Sequence, residues 1–207
     1  MIQLIREATE ADLSAIFDVE RRSYPPELQA THNALRDRFE TFGIRVAEVD
    51  GEVVGFYTCA PIYLDVTDER MTEETLKQNR HPHYTRWFEQ YKKGEDFNML
   101  YVTSTAVSSG HQGKGIGKSL VEHSLELAKQ HKLAYRASVL RIPGFRKFQN
   151  KGMDINEYIE AIKFGSIVNK MLSLYVSLGF TLGQSLANYE PDRTSANYGV
   201  FALKDLR

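Results

Sequence analysis

The sequence predicts an α/β (α+β) fold in one domain over residues 1–207. Three observations carry that expectation. Met99 to Val107 is an apolar, β-branched run that leads through a glycine-rich loop into a segment of helical periodicity. Two further strand-like runs, Arg45 to Val49 and Glu52 to Tyr57, flank Asp50-Gly51, a two-residue hairpin turn. An apolar fraction of 42% in 207 residues is enough to fill one core.

Taken in order, Ile2 to Arg6 reads as a short strand. Thr9-Glu10-Ala11-Asp12 has the form of a capping box, with Asp in place of Glu, ahead of a helix whose apolar face carries Leu13, Ile16 and Phe17. Pro25-Pro26 breaks the chain, and a second helix is expected over Ala30 to Phe42 with Leu35 and Phe39 inward. After the hairpin, the polar stretch Pro61 to Phe97 has helical character at Glu73 to Asn79 and Tyr84 to Lys92. There Trp87, Phe88 and Tyr91 share one face, suited to a lid packed on the body or to one wall of an acceptor pocket.

The strand Met99 to Val107 ends in the turn Ser108-Ser109-Gly110. In the helix that follows the loop, Ile116, Leu120, Val121, Leu125, Leu127 and Ala128 recur at helical spacing, with Lys118, Glu122, Glu126 and Lys129 between them. Leu133 to Leu140 is the next strand-like run. Farther on, Leu174-Tyr175-Val176-Ser177-Leu178-Gly179-Phe180 ends in a glycine suited to the positive φ of a helix C-terminal cap.

The loop between strand and helix is Gln112-Gly113-Lys114-Gly115-Ile116-Gly117. Its glycines let the backbone approach a ligand, and the helix start beyond it offers unpaired N–H groups at the positive end of a dipole. Together these make an anion site suited to a pyrophosphate, with Lys114 and Lys118 adding charge. A P-loop would need a glycine at Gln112, and a dinucleotide fingerprint would need one at Lys118 or Leu120. The pattern that fits is Gln/Arg-x-x-Gly-x-Gly/Ala, with Gln112, Gly115 and Gly117 in register.

On that loop the chain resembles the GNAT acetyltransferase superfamily, and Tyr175 to Phe180 resembles its second signature, a Tyr four residues before a Gly-Phe pair. The resemblance covers nearly the whole chain. It implies the GNAT fold: a mixed, mostly antiparallel central sheet of about seven strands with helices on both faces, here with insertions at 61–97 and 141–165. It implies acetyl-CoA as donor, with Thr105, Ala106 and Val107 beside the pantetheine arm. Gln112, Gly113, Lys114, Gly115, Ile116, Gly117 and Lys118 would hold the pyrophosphate. Two finer likenesses diverge. Arg141 to Phe145, Ile155 to Ile159 and Asn188 to Val200 look like the acetyltransferase domain that some bacterial proteins carry before a nitrilase-type amidohydrolase. The N-terminal half, with Glu20, is more similar to bacterial arylalkylamine-type members.

In this superfamily an amine attacks the acyl-CoA thioester directly. Splaying of the strand that ends at Val107 would free backbone N–H groups to face the thioester oxygen. Tyr175 is the candidate acid for the leaving thiolate, since a phenol near pH 10 and a thiol near 8.5 differ only modestly; the alternative is a core aromatic bonded to backbone. An alkylamine of pKa about 10.4 needs roughly 4.6 kcal/mol to be neutral at pH 7. Met99 to Val107 offers no carboxylate or His for that proton, with Tyr101 and Thr103 where arylalkylamine enzymes place His. Glu20, expected after the first helix near the acceptor cleft, is a candidate base; otherwise it is a solvated helix-end residue and a water chain serves. His111 is expected to line the phosphate loop, and Asn169 stands one residue out of register with a family Asn that contacts the cofactor.

The expected function is N-acetylation of a small-molecule primary amine, with a protein or peptide N-acetyltransferase and a non-catalytic acyl-CoA-binding module as alternatives. Lys+Arg (26) and Asp+Glu (27) nearly balance, which gives no electrostatic reason for a nucleic-acid partner. The lone Cys59 suits a small buried residue. No run is long enough for a membrane span and no basic-then-apolar leader is present, so a cytoplasmic protein without a membrane partner is expected. His81-Pro82-His83 lacks further ligands nearby, so no metal is expected. By analogy a homodimer is expected.

Overall fold

Seven strands form one sheet in the order β1-β2-β3-β4-β5-β7-β6 in a computed structural model that describes residues 3–41, 43–78 and 96–207. The strands are β1 (Gln3–Glu7), β2 (Ile44–Val49), β3 (Glu52–Ile62), β4 (Met99–Val107), β5 (Tyr135–Arg141), β6 (Thr181–Leu186) and β7 (Gly199–Asp205). All neighbours run antiparallel except β4 and β5. This is the mixed, mostly antiparallel sheet expected.

Helices cover both faces. On one, α1 (Leu13–Ser23) and α2 (His32–Thr41) pack Ile16, Val19 and Leu35 against Val46, Phe56 and Ala106. On the other, α4 (Ile116–Gln130) packs Ile116, Leu120 and Ala128 against Val54, Tyr57 and Val102. Phe56 and Tyr57 take opposite faces because side chains alternate along a strand. The remaining helices are α3 (Glu69–Gln78), α5 (Phe145–Gln149), α6 (Ile155–Lys163) and α7 (Lys170–Ser177). The last three close the β5–β7–β6 end of the sheet around Phe145, Tyr158 and Leu172.

Local chemistry sets the boundaries. The expected capping box is present: Asp12 Oδ2 accepts from Thr9 N–H at 2.7 Å, and a 3-10 turn over Glu10–Asp12 leads into α1. Arg6 donates to both Asp12 oxygens at 2.7 and 2.9 Å, tying β1 to the start of α1. Asp50 and Gly51 both have positive φ, as a two-residue hairpin turn requires.

Two expectations need correction, and one set falls outside the described residues. β3 does not stop at Tyr57 but runs to Ile62, because Ala60 and Ile62 find buried places opposite Tyr101 and Met99 of β4. Pro61 is tolerated there since it lies beyond Ile44↔Thr58, the last β2 pair, on a stretch with an open edge. The insertion expected to begin at 61 therefore begins after the strand. Glu20 does not follow the first helix; it belongs to its last turn. The helix expected over Tyr84 to Lys92, its aromatic face Trp87, Phe88 and Tyr91, and His81 and His83 lie outside the described residues.

Candidate active site

The site begins with a fault in the sheet. β3 and β4 pair Thr58↔Ser104 and then Cys59↔Val102, so Thr103 is an extra residue in β4. Such a bulge bends its strand and increases the twist. Parallel pairing of β4 with β5 covers only Met99↔Tyr135, Leu100↔Arg136 and Tyr101↔Ala137, although both strands continue. Beyond the bulge the two strands diverge.

The backbone direction in this opening follows from alternation. Ser108 N–H donates to Val54 O at 2.8 Å, so Ala106 and Ser104 face β3, while Val107 and Thr105 turn their N–H and C=O into the gap. The carbonyls there are already met. Tyr24 Oη donates to Thr105 O at 2.8 Å, Ser23 Oγ to Val107 O at 3.1 Å, and Gln112 Nε2 to Val107 O at 3.0 Å. The end of α1 is thus pinned across the splayed strand, leaving the N–H side of Thr105 and Val107 toward the opening.

Directly beyond β4 comes the glycine loop. Gly113 and Gly115 have φ of 77° and 86°, a region costly for residues with a Cβ. A Cβ at either would meet no atom of the described residues within 4 Å, so these leave space above the loop. Gly115 caps α4, and the first bond of the helix is Ser119 N–H to Gly115 O at 3.0 Å. The N–H groups of Ile116, Gly117 and Lys118 therefore precede the ladder and point outward at the positive end of a 15-residue helix. This is an anion site made from backbone. The Ile116 side chain is buried in the core, so that residue can contribute only its N–H. Lys118 is exposed and lies 3.6 Å from Glu122, and Lys114 is exposed.

From the far side comes α7. Its C-terminus is a Schellman motif: Phe180 N–H donates to Tyr175 O at 3.0 Å and Gly179 N–H to Val176 O at 2.9 Å, with Gly179 at φ 76°. The spacing Tyr-x-x-x-Gly-Phe is the spacing of that cap. It buries Tyr175, whose oxygen accepts from Arg136 Nη2 at 3.2 Å. Arg136, fully buried on β5, has three neutral acceptors: Ser124 Oγ at 3.0 Å, Ser138 Oγ at 2.7 Å and Tyr175 Oη. Its guanidinium also lies 5.2 Å from the Tyr175 ring centroid and 5.0 Å from that of Phe180.

These parts meet in one cavity of about 480 Å³ between β4 and β5. Thr105, Ala106, Val107, Gln112, Gly113 and Gly117 line it, as do Tyr175 and Glu20. Lys114, Gly115, Ile116 and Lys118 flank the loop without entering the wall.

Glu20 is not a solvated helix-end residue: it is 2% exposed. Its Oε1 accepts from Ala30 N–H at 2.8 Å, and Oε2 has no hydrogen-bond partner among the described residues. Burial is the main influence and raises the carboxyl above the usual Glu range; the Ala30 N–H and the Arg38 guanidinium oppose the rise, and Glu190 adds to it. Beside it Tyr24 is pushed up to about 12, chiefly by burial and then by the Glu20 charge.

Several wall residues were given no site role by the sequence. Tyr24 is placed by the end of α1, Arg141 by the last residue of β5, and Glu190 by the β6–β7 connection. Arg141 is paired with Asp192 at 2.8 Å and lies over the Tyr24 ring at 5.8 Å. Asn169 is a helix cap: Oδ1 accepts from Met171 and Leu172 N–H, while Nδ2 donates to Pro143 O and Tyr158 Oη. His111 is engaged within the turn before the loop, its Nδ1 being 3.1 Å from Ser108 Oγ. Tyr101 is buried with its hydroxyl 3.3 Å from that of Tyr189, and Thr103 bonds across to Thr58. Cys59 is buried, which pushes its thiol up to about 12. No group of three metal-ligating side chains occurs among the described residues, and none of their helices is long and apolar enough to cross a membrane.

Known proteins resemble this chain in sequence and fold. The acetyltransferase (GNAT) family model matches residues 6–142. The chain is 27% identical over 207 residues to the uncharacterized N-acetyltransferase YkwB of Bacillus subtilis, covering 95% of this chain and 85% of that protein. It is 27% identical over 200 residues to the probable hydrolase YhcX of the same organism, covering 93% of this chain but 36% of that protein, so it spans about a third of the larger relative. Among solved structures, the GphF GNAT-like decarboxylase in complex with isobutyryl-CoA superposes with a TM-score of 0.82 at 22% identity, covering 99% of this chain and 100% of that one. At that identity the likeness is one of fold.

Proposed function

This chain belongs to the GNAT acetyltransferase family and is an acyltransferase using a CoA-based donor; from that premise we propose that it transfers an acetyl group from acetyl-CoA directly to the primary amine of a small molecule. The observation that carries this reading is the convergence of three parts on one cavity: the splayed end of β4, the glycine loop at the start of α4, and Tyr175. The residues fit the donor. The loop and the first N–H groups of α4 suit a pyrophosphate, and the opening beyond Tyr101↔Ala137 suits an extended arm laid along β4.

Glu20 Oε2 takes the proton of the incoming ammonium, for which it has an unused acceptor and a raised proton affinity. Val107 N–H faces the thioester oxygen as it gains negative charge. Tyr175 gives its hydroxyl proton to the departing thiolate as the C–S bond breaks, and the proton that the acylated nitrogen sheds restores the phenol; the Arg136 donation to its oxygen orients the phenol so that its proton points elsewhere. The sharing of one cavity by the loop and the buried Glu20, with the half-buried Tyr24 beside it, supports a small acceptor over a peptide.

The test is thiol release from acetyl-CoA across polyamines, arylalkylamines, amino acids, aminoglycosides and peptide N-termini. Release with small amines is expected. Release only with peptide N-termini would move the acceptor to proteins, and binding of acyl-CoA without release would make the chain a binding module. A decarboxylation would free carbon dioxide and leave the thioester intact.

A further inference from the structure

The Arg136 guanidinium is fully buried, and the three hydroxyls that hold it come from three different elements. Alternation along β5 puts Arg136 on one face with Ser138 and Leu140. Ser124 of α4 accepts from Nε at 3.0 Å while donating to Val121 O at 2.7 Å, and Ser138 accepts from Nη1 at 2.7 Å. Tyr175 of α7 accepts from Nη2 at 3.2 Å. The head is thus fixed from three sides. No carboxylate pairs with it among the described residues. The Arg141 guanidinium in the cavity wall differs, since Asp192 takes it through bonds to Oδ2 at 2.8 and 2.9 Å. A buried charge without a counter-charge is costly, and natural chains keep such costs at functional sites. The Arg136 charge is felt nearby: burial raises the Tyr101 and Tyr57 phenols and the Cys59 thiol, and Arg136 opposes each rise. Of the three hydroxyls that hold it, those of Ser138 and Tyr175 belong to cavity-lining residues, and only the phenol ionises readily.

We propose that Arg136 is a further catalytic residue, whose guanidinium is the counter-charge for the phenolate that Tyr175 becomes when it protonates the departing thiolate. As the C–S bond breaks, its electron pair goes to sulfur, and sulfur takes the proton of Tyr175 Oη. The O–H pair stays on Oη as a negative charge 3.2 Å from Nη2. The neutral hydrogen bond of the resting state becomes a charge-assisted one, in place before the reaction starts and needing no movement. The proton shed by the acylated nitrogen then restores the phenol, and the guanidinium is unchanged. The Arg136 charge is thus unmatched at rest and matched as the thiol leaves. This rests on the acetyl-transfer reading with Tyr175 as its acid, and it adds a residue outside the cavity wall to the machinery.

The experiment is a double-mutant cycle on kcat for thiol release from acetyl-CoA, with folding followed by thermal melting. Arg136→Met is expected to lower kcat by about a hundredfold or more in the parent, with the KM for acetyl-CoA changed by less than about threefold. In a Tyr175→Phe background no phenolate can form, and there the same change is expected to alter kcat by less than about threefold. Arg136→Lys keeps the charge on a shorter head and is expected to lower kcat by about threefold to tenfold, again only where Tyr175 is present. Should Arg136→Met fail to fold, the cycle is read with Arg136→Lys. For whichever variant folds, equal losses in the two backgrounds, or no loss in the parent, overturn the proposal and leave Arg136 a packing residue, with acetyl transfer intact. An unaltered chain that releases no thiol with any amine sinks the acetyl-transfer reading itself, before any variant is made, and the role of Arg136 falls with it.

Discussion

Phe180 holds Tyr175 twice. Its N–H donates to the Tyr175 carbonyl at 3.0 Å, and the two ring centroids are 4.7 Å apart. The first bond closes the helix cap and the second contact is the apolar partner such caps usually carry. A single turn of chain thus fixes both the backbone and the ring of the proposed acid. The cap depends on Gly179 at φ 76°. Gly179→Ala is expected to cost about 1–2 kcal/mol, the penalty of a Cβ in the left-handed region. The Lys204 Nζ that the new Cβ would meet is a flexible end and can move. Thermal melting should show a fall of a few degrees, with kcat reduced because Tyr175 loses its register.

Tyr175→Phe separates chemistry from binding. Removing a general acid is expected to lower kcat by about a hundredfold or more, with the KM for acetyl-CoA changed by less than about threefold. The change also strips Arg136 Nη2 of an acceptor in a fully buried site, at about 1–3 kcal/mol. Adding Arg136→Met removes the stranded charge and should recover part of the lost stability, while turnover stays low. Recovery of turnover along with stability would show that Tyr175 is only a packing residue.

The loop glycines give a complementary test. A Cβ at Gly113 would touch no atom of the described residues within 4 Å, so Gly113→Ala places its methyl where a ligand would lie. Beyond a left-handed backbone penalty of about 1–2 kcal/mol, the fold should survive. The Kd for CoA, measured by calorimetry, is expected to rise by about tenfold or more, since anion binding here depends on close backbone approach.

Much of this architecture was legible because it rests on local chemistry. The β4 boundaries, the Asp50-Gly51 turn and the Thr9–Asp12 box follow from period, φ and side-chain reach within a few residues. The glycine loop was legible for the same reason. The acceptor wall was legible only in part: Glu20 was a candidate base, but the convergence of Glu20, Tyr24, Arg141 and Glu190 on one cavity comes from tertiary packing. Glu20 read equally as a candidate base or a solvated helix-end residue, since no local rule foretells that the chain at Ala30 will cover it. Asn169 had a local signal, an N-cap three residues before a buried Leu172, hidden behind a family comparison.

Asp12 should report on acid stability. The Arg6 hydrogen bonds are the main reason its carboxyl lies well below the usual carboxylate range, with burial opposing and Thr9 assisting. A depressed carboxyl contributes stability that is fully present above its unfolded value near 3.9 and is lost as pH falls toward the folded one. Asp12→Asn is expected to cost about 1.5–3 kcal/mol at neutral pH, the range for hydrogen bonds to charged groups. In urea titrations that gap should close as pH drops below about 4. A gap independent of pH would mean that shape, not charge, holds β1 to α1.

Glu20 has the opposite sign. Its carboxyl is raised, mainly by burial, so the folded chain binds a proton more readily than the unfolded one. Below the unfolded value near 4.3 the group costs nothing; as pH rises past it, the buried charge progressively destabilises the fold until the folded value is passed. Glu20→Gln keeps an oxygen for Ala30 N–H while removing the charge. The variant should therefore melt at the same temperature as the parent at pH 4 and at a higher one at pH 8. Its kcat/KM should fall by about a hundredfold or more at neutral pH, the size of a lost general base. The parent enzyme's acid limb in kcat/KM should sit above the ordinary Glu range and vanish in the variant. A stabilised variant with full activity would assign the amine's proton to solvent and leave Glu20 as a binding group alone.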